Sequence, residues 1–260
     1  MTLLSILGLG EAGGRYGRDL AAAGVDVLGF DPAPVPTPTG VRRCDSLAEA
    51  VESAEIVISF TGARASAIVA RQACEVIPRG TLYADFNTGS PVLKREIGRI
   101  VDAAGAIAAD VAVLAPVPRA GAKTPLLVSG PGADAVTEFF RDVVGAEAQS
   151  IRGEMGDAAA RKLLRSVFMK GLAAVVIEAD EASARVGQRE WLRDQMADEL
   201  GPAGRELLER LITGTRMHAE RRLHEMEDAA AFLSETGAHR EMTLAAVAWL
   251  DRLAGAGERS

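Results

Sequence analysis

Between residue 3 and about residue 150 the chain alternates short apolar runs with amphipathic stretches, the pattern of strands joined by crossover helices. The runs at 3–7, 26–30, 56–60, 82–86, 106–113 and 126–129 predict strands, and 47–53 is one of the helices predicted between them. Repeated right-handed crossovers would make the sheet parallel and cover both of its faces. Past about Arg152 strand signals nearly vanish, and apolar residues recur at spacings of three and four, the period of a helix with one buried face. Residues 157–186 read as one such helix, with Leu163, Leu164, Val167, Phe168, Leu172, Val175, Val176 and Ala179 as its apolar face and Gly187 as its stop. At 1.5 Å per residue it would run roughly 45 Å, a length suited to a spine between two domains. Further helices are predicted at 190–200, 205–212, 217–233 and 241–253, punctuated by Gly201 with Pro202, by Gly214 and by Gly237. The expected fold is an α/β domain with a mostly parallel sheet over 1–152, then an all-helical domain over 153–260, linked by the long helix.

Composition narrows what such a chain does. Its 260 residues are 48% hydrophobic and 25% charged, which excludes disorder and collagen-like repeats and suits a folded core. A net charge of -7 argues against nucleic acid or an acidic lipid surface as the main partner. Cys44 and Cys74 give neither a disulfide framework nor a Cys-only metal site, so a reducing cytoplasm is the expected location. The first ten residues lack a basic region and run into glycines, as a strand does and a signal peptide does not. No apolar run approaches membrane-spanning length. His218 and His224 are six apart, not the i, i+4 spacing of a helical metal pair, and His239 stands alone, so no metal is expected. Of 29 basic residues only Lys94, Lys123, Lys162 and Lys170 are lysine, so a lysine in a suggestive place stands out.

The first such place follows the first strand. Gly8, Gly10 and Gly13 in G-L-G-E-A-G close a strand and open a helix. The first glycine allows the tight turn, the second lets backbone approach a pyrophosphate, and the third packs helix against strand. The N–H groups of Glu11 and Ala12 and the helix dipole then face the phosphates. Asp31 ends the second strand eighteen residues beyond Gly13, placed to accept hydrogen bonds from an adenosine ribose and to repel a 2′-phosphate. This is the pattern of a Rossmann dinucleotide-binding domain, with NAD expected and NADP as the alternative through Arg42 and Arg43. Residues 31–39, rich in alternate prolines, predict an extended, poorly hydrogen-bonded loop between them.

Four blocks together make the chain resemble the β-hydroxyacid dehydrogenase family, which includes 3-hydroxyisobutyrate and 6-phosphogluconate dehydrogenases. The glycine loop is the first. Asp85-Phe86-Asn87-Thr88 is similar to the family's D-x-S-T segment lining the nicotinamide, with Asn87 in the serine position. The segment from Asp110 to Pro116, followed by Lys123 to Gly130, is similar to D-A-P-V-S-G-G leading to G-T-L-x-x-M-V-G-G. Leu114 replaces the serine that holds a substrate carboxylate, leaving backbone around Ala115 or a residue of the 116–121 loop, such as Pro116 or Arg119, to substitute. Finally, the segment from Gly156 to Ser166 is similar to G-x-G-x-x-x-K-x-x-N-N at the start of the long helix. The resemblance puts Lys162 in the catalytic lysine position and Ser166 in that of an asparagine. Met217-His218-Ala219-Glu220-Arg221-Arg222 and the Trp249 helix extend it to a sub-branch with a phosphogluconate-dehydrogenase-like C-terminal domain.

Oxidising an alcohol sends a hydride to nicotinamide and the hydroxyl proton to a base, and the reverse step needs an acid. Lysine can serve as both, whereas arginine effectively never deprotonates. A lysine at 162 between Arg161 and Arg165, in a chain that otherwise chooses arginine, therefore supports an acid/base role. Ser166 shares its helix face one turn on and would hold a substrate hydroxyl or water. Arg165, Lys170, Arg119 and His218 are candidates for an anionic substrate. Trp191, Trp249, Met217, Met226 and Met242 read as core or dimer interface, and a homodimer through the helical domain is expected. The function expected is interconversion of a small 3-hydroxy acid, or a related polar alcohol, with its oxo form. The alternatives are an imine reductase on the same scaffold and a non-catalytic nucleotide sensor.

Overall fold

The computed structural model describes residues 2–257. The chain divides into two compact units, Met1–Lys162 and Leu163–Ser260. The first contains β1 (Leu3–Leu7), α1 (Glu11–Ala22), β2 (Asp26–Phe30), β3 (Val41–Arg43), α2 (Leu47–Val51), β4 (Ile56–Ser59), α3 (Ala63–Cys74), β5 (Leu82–Asp85) and α4 (Pro91–Ala103). It continues with β6 (Ile107–Val113), α5 (Val117–Ala120), a 3₁₀ turn (Gly121–Lys123), β7 (Leu126–Ser129), α6 (Ala133–Val144), β8 (Ala148–Ser150) and the first turns of α7 (Asp157–Arg185).

The sheet runs in the order β3-β2-β1-β4-β5-β6-β7-β8. Its first six strands have the doubly wound Rossmann order, reversing direction of travel between β1 and β4. Every pairing is parallel except β6 with β7. There the connection carries only the four-residue α5 and a 3₁₀ turn, so no crossover helix returns the chain to the starting edge. The edge strand β3 and β8 have three residues each, too few for an alternation to register in the sequence. Side-chain parity explains the two cores. Leu4, Ile6, Ile58, Ala84 and Ala109 pack with Tyr16, Leu20, Val136 and Phe140 of α1 and α6. Leu7, Val57, Tyr83 and Ala108 pack with α2, α3 and α4 through Val51, Ala70, Ile97 and Val101. Each large aliphatic side chain so buried contributes about 1.5–3 kcal/mol relative to exposure.

The second unit holds the rest of α7 with α8 (Arg189–Glu199), α9 (Gly204–Met217), α10 (Ala219–Glu235) and α11 (Glu241–Gly257). Leu163, Ala173, Ile177, Leu208, Leu211, Met226, Ala229, Trp249 and Leu250 form its core. Several expectations are corrected here. On α7, Leu164, Phe168 and Val175 are exposed, while Ala173, Ala174 and Ile177 are buried with Leu163 and Val176. The helix is apolar around much of its circumference, so spacing alone did not select the core-facing stripe. Gly214 lies inside α9 rather than ending a helix, because burial of Leu211, Ile212 and Thr215 offsets the roughly 1 kcal/mol a helical glycine costs. Trp191, Met217 and Met242 are exposed, while Trp249 and Met226 are core.

Candidate active site

The carboxyl ends of β1 and β4 flank the switch point, where an open α/β sheet binds ligands. Gly8 leaves β1 with φ +94°, and a Cβ there would sit 2.5 Å from the Phe60 carbonyl oxygen. A Cβ on Gly13 would lie 1.9 Å from the Gly8 oxygen, so α1 rests directly on the loop. Gly10 is different: a Cβ there would meet nothing within 4 Å. No side chain caps α1 at Gly10, whereas Ser46 caps α2 and Ser90 caps α4. The first turn of α1, with Glu11 and Ala12, thus leaves backbone N–H groups for an external acceptor, beside open space. The residues fit a dinucleotide pyrophosphate.

Asp31 follows directly on β2, and its carboxylate organises the loop. Oδ2 accepts the Leu9 N–H at 2.8 Å and Oδ1 accepts the Ala33 N–H at 2.9 Å. The proline-rich loop is better bonded than expected, because the Arg43 guanidinium folds back onto it. It donates to the carbonyls of Val35 at 2.6 Å and of Asp31 and Ala33, both at 2.7 Å. Arg42 is exposed.

At the tip of β5 a polar network replaces the hydrophobic pattern. Asn87 is buried, its amide donating to Ser59 Oγ at 3.0 Å and to Asp85, while Oδ1 accepts the Gly62 N–H at 2.6 Å. Asn87 thereby ties the start of α3 to the end of β5. Beneath it, Tyr16, Phe60, Phe86 and Phe140 form an aromatic cluster with centroids 4.9–5.8 Å apart. Thr88 Oγ1 accepts a hydrogen bond from Lys162 Nζ at 3.1 Å, joining residues 74 apart in sequence.

The sequence reading missed Lys94, which is 1% exposed. Its Nζ lies 2.8 Å from Asp85 Oδ2 and 3.0 Å from Asp110 Oδ1, and donates to the Asp85 carbonyl at 2.9 Å. Burial alone would lower the Lys94 pKa, but Asp110 and Asp85 outweigh it and hold the ammonium above its ordinary range. Asp110 Oδ2 also accepts the Ala159 N–H at 2.9 Å, and Ser129 Oγ accepts the Ala158 N–H at 3.0 Å, together capping α7. A signal existed: Lys94, Ile97, Gly98 and Val101 form the buried stripe of α4, so the lysine occupies a core position in the helical pattern.

The profile of a family described as the NAD binding domain of 6-phosphogluconate dehydrogenase matches residues 4–156. The chain belongs to the β-hydroxyacid dehydrogenase family. Residues 4–156 thus match a nicotinamide-cofactor domain, and the family supports an NAD(P)-dependent, 3-hydroxyacid-dehydrogenase-like oxidoreductase. A second profile, Domain of unknown function (DUF1932), matches residues 184–253. A probable 3-hydroxyisobutyrate dehydrogenase of Mycobacterium tuberculosis is 29% identical over 198 residues, 72% of this chain and 66% of that protein, just under two thirds of its length. Among solved structures, a conserved protein of unknown function, described as similar to 3-hydroxyacid dehydrogenases, superposes with TM-score 0.81. It is 25% identical, over 96% of each chain. The Mycobacterium tuberculosis 3-hydroxyisobutyrate dehydrogenase with L-serine superposes at 0.82 and 22% identity, covering 98% of this chain and 94% of that one, and shows the shared fold.

The remaining expected residues of this β-hydroxyacid dehydrogenase family member are distributed as follows. Leu114 packs against Ala112, Leu127, Ile151 and Ala158, beside the half-buried Ala115. Pro116 and Arg119 are exposed around α5. That loop is docked on α1, the Asp19 carboxylate accepting the Ala122 N–H at 3.0 Å. In the second unit Ser166 is buried, and its Oγ accepts from Lys170 Nζ at 2.9 Å. Lys170 also pairs with Glu225 at 2.6 Å, and burial lowers its pKa against the opposing pull of Glu225. Arg165 and His218 are exposed. Among the described residues no group of His, Cys, Asp and Glu could hold a metal, and no helix is long and apolar enough to cross a membrane.

Proposed function

We propose that the protein interconverts a small 3-hydroxy acid, or a related polar alcohol, with its oxo form, using Lys162 as general acid/base and NAD in preference to NADP. The hydrogen bond from Lys162 Nζ to Thr88 Oγ1 carries the reading. It brings the lysine to the segment that the family likeness puts beside the nicotinamide. Residues 1–152 would bind the cofactor, and the helical residues 153–260 would contribute substrate contacts and a homodimer interface.

The backbone of Gly8, Gly10, Glu11, Ala12 and Gly13 would hold the pyrophosphate, Asp31 the ribose, and Asn87 and Thr88 the nicotinamide end. A bound nicotinamide would supply the hydride acceptor for the alcohol carbon, or the hydride donor for the oxo carbon. Lys162 Nζ takes the hydroxyl proton in one direction and gives it back in the other; Thr88 orients the amine. A substrate carboxylate would meet backbone around Ala115 and Pro116, with Arg119 supplying charge, and Arg165 and His218 are separate candidates for contact with an anionic substrate. Ser166 and Lys170 are proposed for the substrate's polar end, the ammonium exchanging a bond it now makes to Ser166 or Glu225.

The test is a cofactor-reduction screen of hydroxy acids with a parallel panel of cyclic imines, repeated with Lys162→Ala. We expect turnover of a hydroxy acid, and a loss in kcat of about 10²–10⁴ in the variant with NADH still bound. Unchanged turnover removes Lys162 from the mechanism. Reduction of imines alone supports the alternative that Leu114, in place of a carboxylate-binding serine, favours. NADH binding with no turnover on either panel supports a sensor.

A further inference from the structure

We propose that Lys94 is a positioning residue for the reaction, holding Lys162 against Thr88 through Asp85 on one side and Asp110 on the other. The four legs of the arrangement close a ring. From Lys94 the ion pair to Asp85 leads along the backbone through Asn87 to Thr88. From Lys94 the pair to Asp110 leads to the Ala159 N–H and, through Ser129, to the Ala158 N–H. One helical turn beyond Ala159 stands Lys162, whose Nζ returns to Thr88 at 3.1 Å. Two legs are covalent and stiff, the β5 tip and the first turn of α7. The ammonium therefore sets how far apart they stand.

Packing reinforces the connection. A Cβ on Gly156, just before α7, would lie 2.7 Å from the Pro91 carbonyl oxygen, so the helix carrying Lys162 starts against the helix carrying Lys94. Energetics point the same way. Three buried charges are dearly desolvated, and an apolar trio of similar volume often stabilises a core as well. What apolar side chains cannot do is accept the Ala159 N–H at the start of α7, hold the Ser129 hydroxyl that accepts the Ala158 N–H, and orient Asn87 and Thr88. A misplacement of about 1 Å at a reacting group costs on the order of 10²-fold in rate.

The role presupposes Lys162 as acid/base, so the test has arms that need no turnover. In Lys94→Met, shown folded by circular dichroism, hydrogen exchange is expected to rise about tenfold or more in peptides covering 85–90 and 157–165 and to stay unchanged over 8–16. NADH affinity should change little beside turnover, because the glycine loop and Asp31 that would hold its pyrophosphate and ribose are untouched, while kcat on the hydroxy acid falls about 10²-fold with KM nearly constant. Uniformly faster exchange, or a rate lost only in proportion to unfolded protein, would mean Lys94 merely stabilises the fold and would overturn the proposal. So would unchanged exchange and kcat. If the wild type turns over no hydroxy acid, the exchange arm still decides whether Lys94 positions these two segments, and the Lys162 reading fails by itself. If Lys94→Met does not fold, Ser129→Ala cuts the ring at its mildest point: about a tenfold loss in kcat with faster exchange confined to the start of α7 supports the proposal. No change in either overturns it.

Discussion

Gly10 and Gly13 stand three residues apart in one loop and meet opposite surroundings. An alanine at 13 drives its Cβ into the Gly8 carbonyl, whereas one at 10 enters open space. Gly13→Ala should therefore destabilise the fold by about 1–3 kcal/mol and weaken NADH binding together. Gly10→Ala should cost at most about 1 kcal/mol, yet abolish most NADH affinity by blocking the approach of the pyrophosphate. Urea denaturation and NADH titration of both variants check this; equal effects on folding would deny that Gly10 is reserved for a ligand. The three glycines were legible because their spacing is local. Lys94 was less so: an apolar-stripe position occupied by lysine is visible in α4, but its two carboxylates lie on separate strands.

Among the elements, α7 is least determined by its own pattern. Its 29 residues carry apolar side chains on several faces, so periodicity located the helix and its ends without choosing the buried side. The choice fell to Ala173, Ala174, Val176 and Ile177, leaving Phe168 67% exposed. Ala173 and Ala174 stand in that buried stripe beside the larger Val176 and Ile177. If that outer stripe is covered by a second copy, Phe168→Glu should convert a dimer to a monomer in sedimentation velocity without altering NADH affinity. A wild-type monomer at the same concentration would remove the homodimer from the functional reading. The strands show the complementary limit. The five-residue runs of β1 and β2 were readable as short apolar runs, but β3 and β8 were too short, and the antiparallel β7 depended on how a connection turned.

For the whole molecule, a cofactor that binds only the folded state raises stability by linkage, about 2.7 kcal/mol at a hundred times its Kd. Calorimetry should show NADH raising the transition temperature, and NADPH at equal concentration raising it less, because the Asp31 carboxylate opposes a 2′-phosphate. The reverse order would assign the ribose end to Arg43, whose guanidinium already lies across the loop. The order of the longer elements, the glycine loop with its acidic partner, the family, and Lys162 as the lysine to test are legible in the chain alone. Those features are written in spacing, composition and short motifs, which the backbone reads locally. Folding is what brings Lys162 to Thr88, buries Lys94 between Asp85 and Asp110, and selects the inward side of α7. Each joins groups brought together by packing rather than by proximity along the chain, and periodicity tells a residue's face but not what stands opposite it.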